Sequence, residues 1–107
     1  MTKLDKEMLR KRRAEINMEK SATLAPLKKE MTRLERVIIH LEAEQKRTEA
    51  ALLTASETGD GKKITELSKQ LGEFTAQVET NFARLTDITQ EHDRKLTEYE
   101  SKLVEIG

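Results

Sequence analysis

The sequence predicts an all-α fold: an antiparallel two-helix coiled-coil hairpin with a further N-terminal helical segment. Three observations predict it. Apolar residues recur in alternating steps of three and four over most of the chain. One cluster of glycines and short polar residues interrupts them near the middle, at 54–61. And of 107 residues 36% are hydrophobic, 37% charged and only 3% aromatic. That is too little bulk for a compact globule, yet enough for a pair of helices that buries one narrow seam. The charged fraction taken alone would fit a disordered chain, but the regular spacing of the apolar residues argues for helices with a polar outer face.

The first seam reads Leu24, Leu27, Met31, Leu34, Ile38, Leu41, Gln45, Thr48 and Leu52. Between these positions stand Lys28, Lys29, Glu30, Arg33, Glu35 and Arg36, which suit the solvent side. Pro26 fits a first helical turn, where its missing N–H has no intrahelical partner to lose. Residues 54–61 hold two glycines and read as the turn, near 55–61, with Asp60 or Gly61 capping the next helix.

The second helix is expected from Lys62 to about residue 105. Its seam reads Ile64, Leu67, Leu71, Phe74, Val78, Asn81, Leu85 and Ile88. Phe82, next to Asn81, competes with it for the seam. Then come His92, Leu96, Tyr99, Leu103 and Ile106, beginning with two consecutive steps of four, a stutter that locally unwinds a supercoil. Folding about the turn pairs Leu52 with Ile64, Leu41 with Phe74 or Val78, Leu34 with Phe82 or Leu85, and sets Leu27 near Ile88. The second helix outruns a partner that begins at Pro26, so residues 4–23, with Leu4, Met8, Leu9 and Ile16, are expected to cover its last turns. An interior proline costs about 3 kcal/mol or kinks a helix. The expectation is therefore a helix at 5–20, a break or kink at 21–26, and a division into a basic N-terminal segment (1–25) and the hairpin (26–107).

The formal net charge is zero, with 20 basic and 20 acidic side chains, which excludes a protein whose whole surface grips nucleic acid. The distribution is uneven. Residues 1–36 carry 11 basic and 6 acidic side chains, and residues 87–105 carry 6 acidic and 3 basic. With no cysteine, disulfide and thiolate chemistry are excluded. No apolar run approaches the roughly 20 residues of a membrane span, and the N-terminus has no signal-peptide core. The expectation is a soluble, cytoplasmic protein without a membrane partner, monomeric, with a weak dimer through its C-terminal apolar residues left open.

No catalytic constellation is legible, and the chain is expected not to be an enzyme. His40 and His92 fall on different helices, and there is no HExxH, EF-hand loop or paired Glu-x-x-His to hold a metal. Gly59-Asp60-Gly61-Lys62-Lys63 lacks the spacing and the preceding strand of a phosphate-binding loop. The candidate functional feature is the run Arg10, Lys11, Arg12 and Arg13, preceded by Lys6, with Lys62 and Lys63 at the turn as a weaker second group. Four successive cations suit phosphates. They equally suit a structural role, pairing with Glu98, Glu100 and Glu105 of the second helix.

The run Leu24-Ala25-Pro26-Leu27-Lys28-Lys29-Glu30-Met31-Thr32-Arg33-Leu34-Glu35 resembles the opening of the C-terminal coiled-coil domain of ABC-F proteins, soluble ATPases with two nucleotide-binding domains. Lys11 to Glu15 resembles the arginine-rich segment before it. Lys62 to Leu71 and Asn81 to Ile88 resemble the helix after the turn, with Phe82 where tyrosine is frequent and Leu85 where tryptophan is frequent. Ser56 to Gly61 replaces the acid-proline and tyrosine that the family carries before its turn. The resemblance implies a non-catalytic arm, with ATP and magnesium bound only in parent domains outside this chain. It further implies contact with nucleic acid, ribosomal RNA or DNA, or positioning on the ribosome, through Arg10, Lys11, Arg12 and Arg13 and more weakly Lys62 and Lys63. The alternatives are a purely structural or protein-binding coiled-coil arm, or a tRNA-contacting hairpin like that of some synthetases.

Overall fold

In a computed structural model that describes residues 1–107, the chain forms two helices and no strand: α1 (Lys3–Thr58) and α2 (Gly61–Ile106). They pack as an antiparallel hairpin, as the paired seams require. Two compact units divide it. One combines Met1–Met31 with Asp87–Gly107, and the other is Thr32–Thr86.

The unit 32–86 follows the heptads closely. Leu34, Ile38, Leu41, Thr48 and Ala55 are buried, and Leu34 is completely enclosed. Ile64, Leu67, Leu71, Phe74, Val78 and Leu85 are half-buried on the facing stripe of α2. Gln45 takes its seam position with its side-chain amide donating to the Thr75 hydroxyl across the helices, at 3.2 Å. That bond fixes the register: stepping outward, Leu34 faces the neighbourhood of Leu85. Asn81 is half-buried and donates to the Gln77 carbonyl at 2.7 Å, whereas Phe82 is exposed. The competition between them is thus settled for Asn81, which bonds its own helix and so sits in the seam without an idle amide nitrogen.

The turn is tighter than the sequence suggests. Residues 54–58 remain helical, and the hydroxyls of Thr54 and Ser56 donate to the carbonyls four residues back and that of Thr58 to the carbonyl of Ala55, so none competes with the helix for a backbone N–H. Ala55 is the next heptad step after Leu52 and is buried. Only Gly59 and Asp60 make the connection. Gly59 has φ +69°, the left-handed conformation that a Cβ disfavours. The Gly59 N–H donates to Ser56 O at 3.3 Å and the Asp60 N–H to Ala55 O at 3.1 Å, the paired bonds of a Schellman stop. Asp60 then starts α2, its carboxylate accepting from the Lys63 N–H at 3.1 Å, as expected of the cap.

The expected break at 21–26 does not occur: α1 runs unbroken through Pro26. The proline removes the donor that would pair with the Ala22 carbonyl. Ala22, Ala25 and Pro26 all lie on the exposed side, so water can satisfy that carbonyl, while Leu24 on the inner side is buried. Ile16 and Leu24 are the buried apolar residues of α1 in this unit. Opposite them Leu96, Tyr99, Leu103 and Ile106 are half-buried, covered by about residues 16–26; Leu4 and Met8, expected to share in this cover, are exposed because they lie past the end of α2. A hydrogen bond of 2.9 Å between the Thr23 and Tyr99 hydroxyls sets the register here. Leu27 consequently faces the stretch between His92 and Leu96, up to about two turns beyond the Ile88 inferred from the seams alone. Most of the offset is already present where Gln45 meets Thr75, ahead of the two steps of four at 88–92–96.

Candidate nucleic-acid interface

The Thr23–Tyr99 bond decides the surroundings of the basic run. Each step back along α1 is matched by one step forward along α2, so α2 ends at Ile106, opposite about Ile16. Residues 3–15 of α1 therefore extend past the end of α2. Arg10, Lys11, Arg12 and Arg13 are all exposed. The ion pairs considered with Glu98, Glu100 and Glu105 do not form, because those carboxylates lie alongside a later part of α1. Arg12 pairs with Glu15 of its own helix at 3.6 Å, and Glu98 with Arg94 of α2 at 3.1 Å. Arg10, Lys11 and Arg13 stand in solvent without an ion pair.

Local hydrogen bonds hold this stretch helical. Thr2 caps α1: its hydroxyl accepts from the Asp5 N–H at 3.1 Å, while its own N–H (3.1 Å) and hydroxyl (2.8 Å) donate to the Asp5 carboxylate. This reciprocal capping arrangement satisfies orphan donors at the helix start. The bond from the Thr2 hydroxyl, then that from its N–H, lowers the pKa of Asp5. Sequence reading missed Thr2 and Asp5, although Thr-x-x-Asp ahead of a helical pattern was the signal available.

Lys62 and Lys63 belong to the other unit, on the first turn of α2 beside Asp60, Thr65 and Glu66. Both are exposed. Two lysines next to an aspartate and a glutamate make a mixed surface, weaker for an anion than the run on α1. The structure does not gather the six residues into one surface. Arg10–Arg13 form a group in one unit, and Lys62–Lys63 a pair in the other.

The aromatic residues offer no stacking surface beside the basic run. Tyr99 is half-buried, its hydroxyl bonded to Thr23 and the ammonium of Lys102 5.0 Å from its ring centre. His40 is exposed, whereas His92 is buried, and the two fall in different units. The Nδ1 of His92 lies 3.0 Å from the Asp93 carboxylate, and its Nε2 is enclosed without a partner. This is a histidine packed into a seam, as its heptad position indicates. No helix is long and apolar enough to cross a membrane.

Comparison with known proteins finds no matching family model, no matching curated protein and no matching solved structure.

Proposed function

We propose that this chain is a non-catalytic helical arm that contacts nucleic acid, ribosomal RNA or DNA, through the first turns of α1. The role is the one implied by its resemblance to the C-terminal coiled-coil domain of ABC-F ATPases, a cytoplasmic setting in which ATP and magnesium are bound by domains outside this chain. The observation that supports the reading is the exposed run Arg10–Arg13 on a capped helix, with no ion pair to the acidic side chains of α2. Cations already paired across a hairpin would have to break those pairs to meet a phosphate. These do not.

The test is a binding titration against ribosomal RNA and duplex DNA at several salt concentrations. Affinity should fall steeply with salt, and neutralising residues 10–13 should abolish most of it. Salt-insensitive binding, or none, would remove the proposal. A second reading, a protein-binding arm, draws on the exposure of Leu4, Met8 and Met18 along α1. It predicts instead that Leu4→Ser with Met8→Ser removes the interaction while the arginine changes leave it intact.

A further inference from the structure

The basic residues of α1 are not equivalent once the helix is known to run unbroken from Lys3. Lys3, Lys6, Arg10 and Arg13 follow one another in steps of three, four and three, so they share one face. At 3.6 residues per turn, Lys11 and Arg12 sit roughly 120° or more away from that face. Arg12 is further committed to Glu15. All four residues of the stripe are exposed and none has an ion pair. Asp5 lies off the stripe and is occupied with Thr2; Glu7, four residues after Lys3 and three before Arg10, borders the stripe without forming an ion pair to it.

We infer that the Lys3–Lys6–Arg10–Arg13 stripe is a docking face for the phosphate backbone of a nucleic-acid duplex, read without regard to sequence. The inference rests on the nucleic-acid reading above and narrows it to one face and one form of the polymer. Its first support is length. Ten residues of helix span about 15 Å, enough at about 3.4 Å of duplex axis per step to cover about five phosphates of one strand, so that each of the four cations has one within its length. The second is the absence of an exposed ring in this unit: single strands are held largely by stacking on aromatic side chains, and Tyr99 is already engaged. The third is rigidity. The Thr2–Asp5 cap keeps the first turn formed, so the cations are presented at fixed intervals without an ordering cost on binding.

A membrane surface fits less well. A helix lying on a bilayer needs its cations flanking its apolar face. Here Met1, Leu4 and Met8 occupy the side of α1 opposite the stripe, so docking either face would turn the other away.

The experiment compares Arg10→Gln/Arg13→Gln with Lys11→Gln/Arg12→Gln in the full chain, two pairs of exposed cations with the same change in charge. Circular dichroism establishes that both remain helical. Fluorescence anisotropy then measures each protein against a labelled DNA duplex and a single strand of equal length, over a range of salt. The duplex should bind more tightly than the single strand, with log affinity falling by about 3.6 per decade of salt, for four phosphates at about 0.9 each. The Arg10/Arg13 pair should reduce that slope by about 2, and the Lys11/Arg12 pair, which lies off the stripe, by less than half as much. Equal losses from the two pairs would overturn the stripe while leaving a diffuse basic contact in place. Tighter binding to the single strand, or equal binding to polyglutamate or anionic vesicles, would overturn the duplex assignment. No binding by the unaltered protein would overturn this inference and the broader reading together.

Discussion

The two compact units of the hairpin use the same heptad arithmetic and obey it to different degrees. In residues 32–86 most local choices agree with the fold. Leucine and isoleucine fill the inner positions, Gln45 meets Thr75 across the seam, and a two-residue connection carries both a helix stop and a helix start. The unit formed by Met1–Met31 and Asp87–Gly107 breaks the grammar repeatedly. It holds a proline inside a helix, a stutter at 88–92–96, a buried histidine with an unpartnered nitrogen, and a stretch of α1 with no helix opposite. A sequence that is locally consistent specifies a structure and little else. Departures from consistency that persist in a folded chain are where function or strain is to be sought. The proposed nucleic-acid contact lies in the irregular unit.

The contrast can be broken most directly at Leu34. It is completely buried, and Leu34→Ala should cost about 2–5 kcal/mol by chemical denaturation. Hydrogen exchange should accelerate first within 32–86. Equal acceleration in both units would show that they open as one body and that the comparison has no thermodynamic content.

A smaller effect of opposite sign is expected at Pro26. Pro26→Ala restores a donor for the Ala22 carbonyl and relieves the ring clash, while giving back some freedom to the unfolded chain. The net should be a gain of about 2 kcal/mol, seen as a higher denaturation midpoint. A loss would mean that the proline shapes α1 in a way the packing of Leu24 depends on.

His92→Leu should also stabilise, by about 1–2 kcal/mol, because a buried nitrogen without a partner is replaced by apolar surface. Thermal denaturation of the variant measures this directly. A drop in midpoint would indicate that the Asp93 contact contributes more than the idle nitrogen costs.

The smallest effect concerns pH. The carboxylate of Asp5, held by the Thr2 hydroxyl and N–H, should titrate below its ordinary value of 3.8. A lowered folded-state pKa means that its contribution is present above the unfolded value and is lost as pH falls through the folded one. Acid should therefore fray the first turn of α1, while Thr2→Ala, which removes the hydroxyl but keeps the backbone N–H, should move the titration part of the way back toward the ordinary value. A carbon-detected NMR titration of the carboxyl that showed no difference between the two proteins would discard the cap.

Much of this was legible beforehand because heptads are a one-dimensional code. The seam positions from Ile64 to Ile106 are all buried or half-buried as their spacing requires, and Asp60 caps α2 as its place after glycine suggested. The errors have a common origin. By type Thr54, Ser56 and Thr58 suggest a turn, but in a helix their hydroxyls bond the preceding turn and Ala55 completes the seam. Pro26 was read as a break because propensity says nothing about which side of a helix faces water.

Helix, seam and hairpin were determined by the sequence alone, since each depends on spacing within one segment or on a glycine between two. The tertiary structure alone decided what lies across from what. The Thr23–Tyr99 bond sets where α2 runs out along α1, and hence that Arg10–Arg13 meet solvent and not Glu98, Glu100 and Glu105. The reason is physical: along a heptad seam a slip of one repeat preserves nearly every apolar contact, so the pattern is almost blind to register. The short connection at Gly59–Asp60 and a few polar bonds across the helices break that degeneracy.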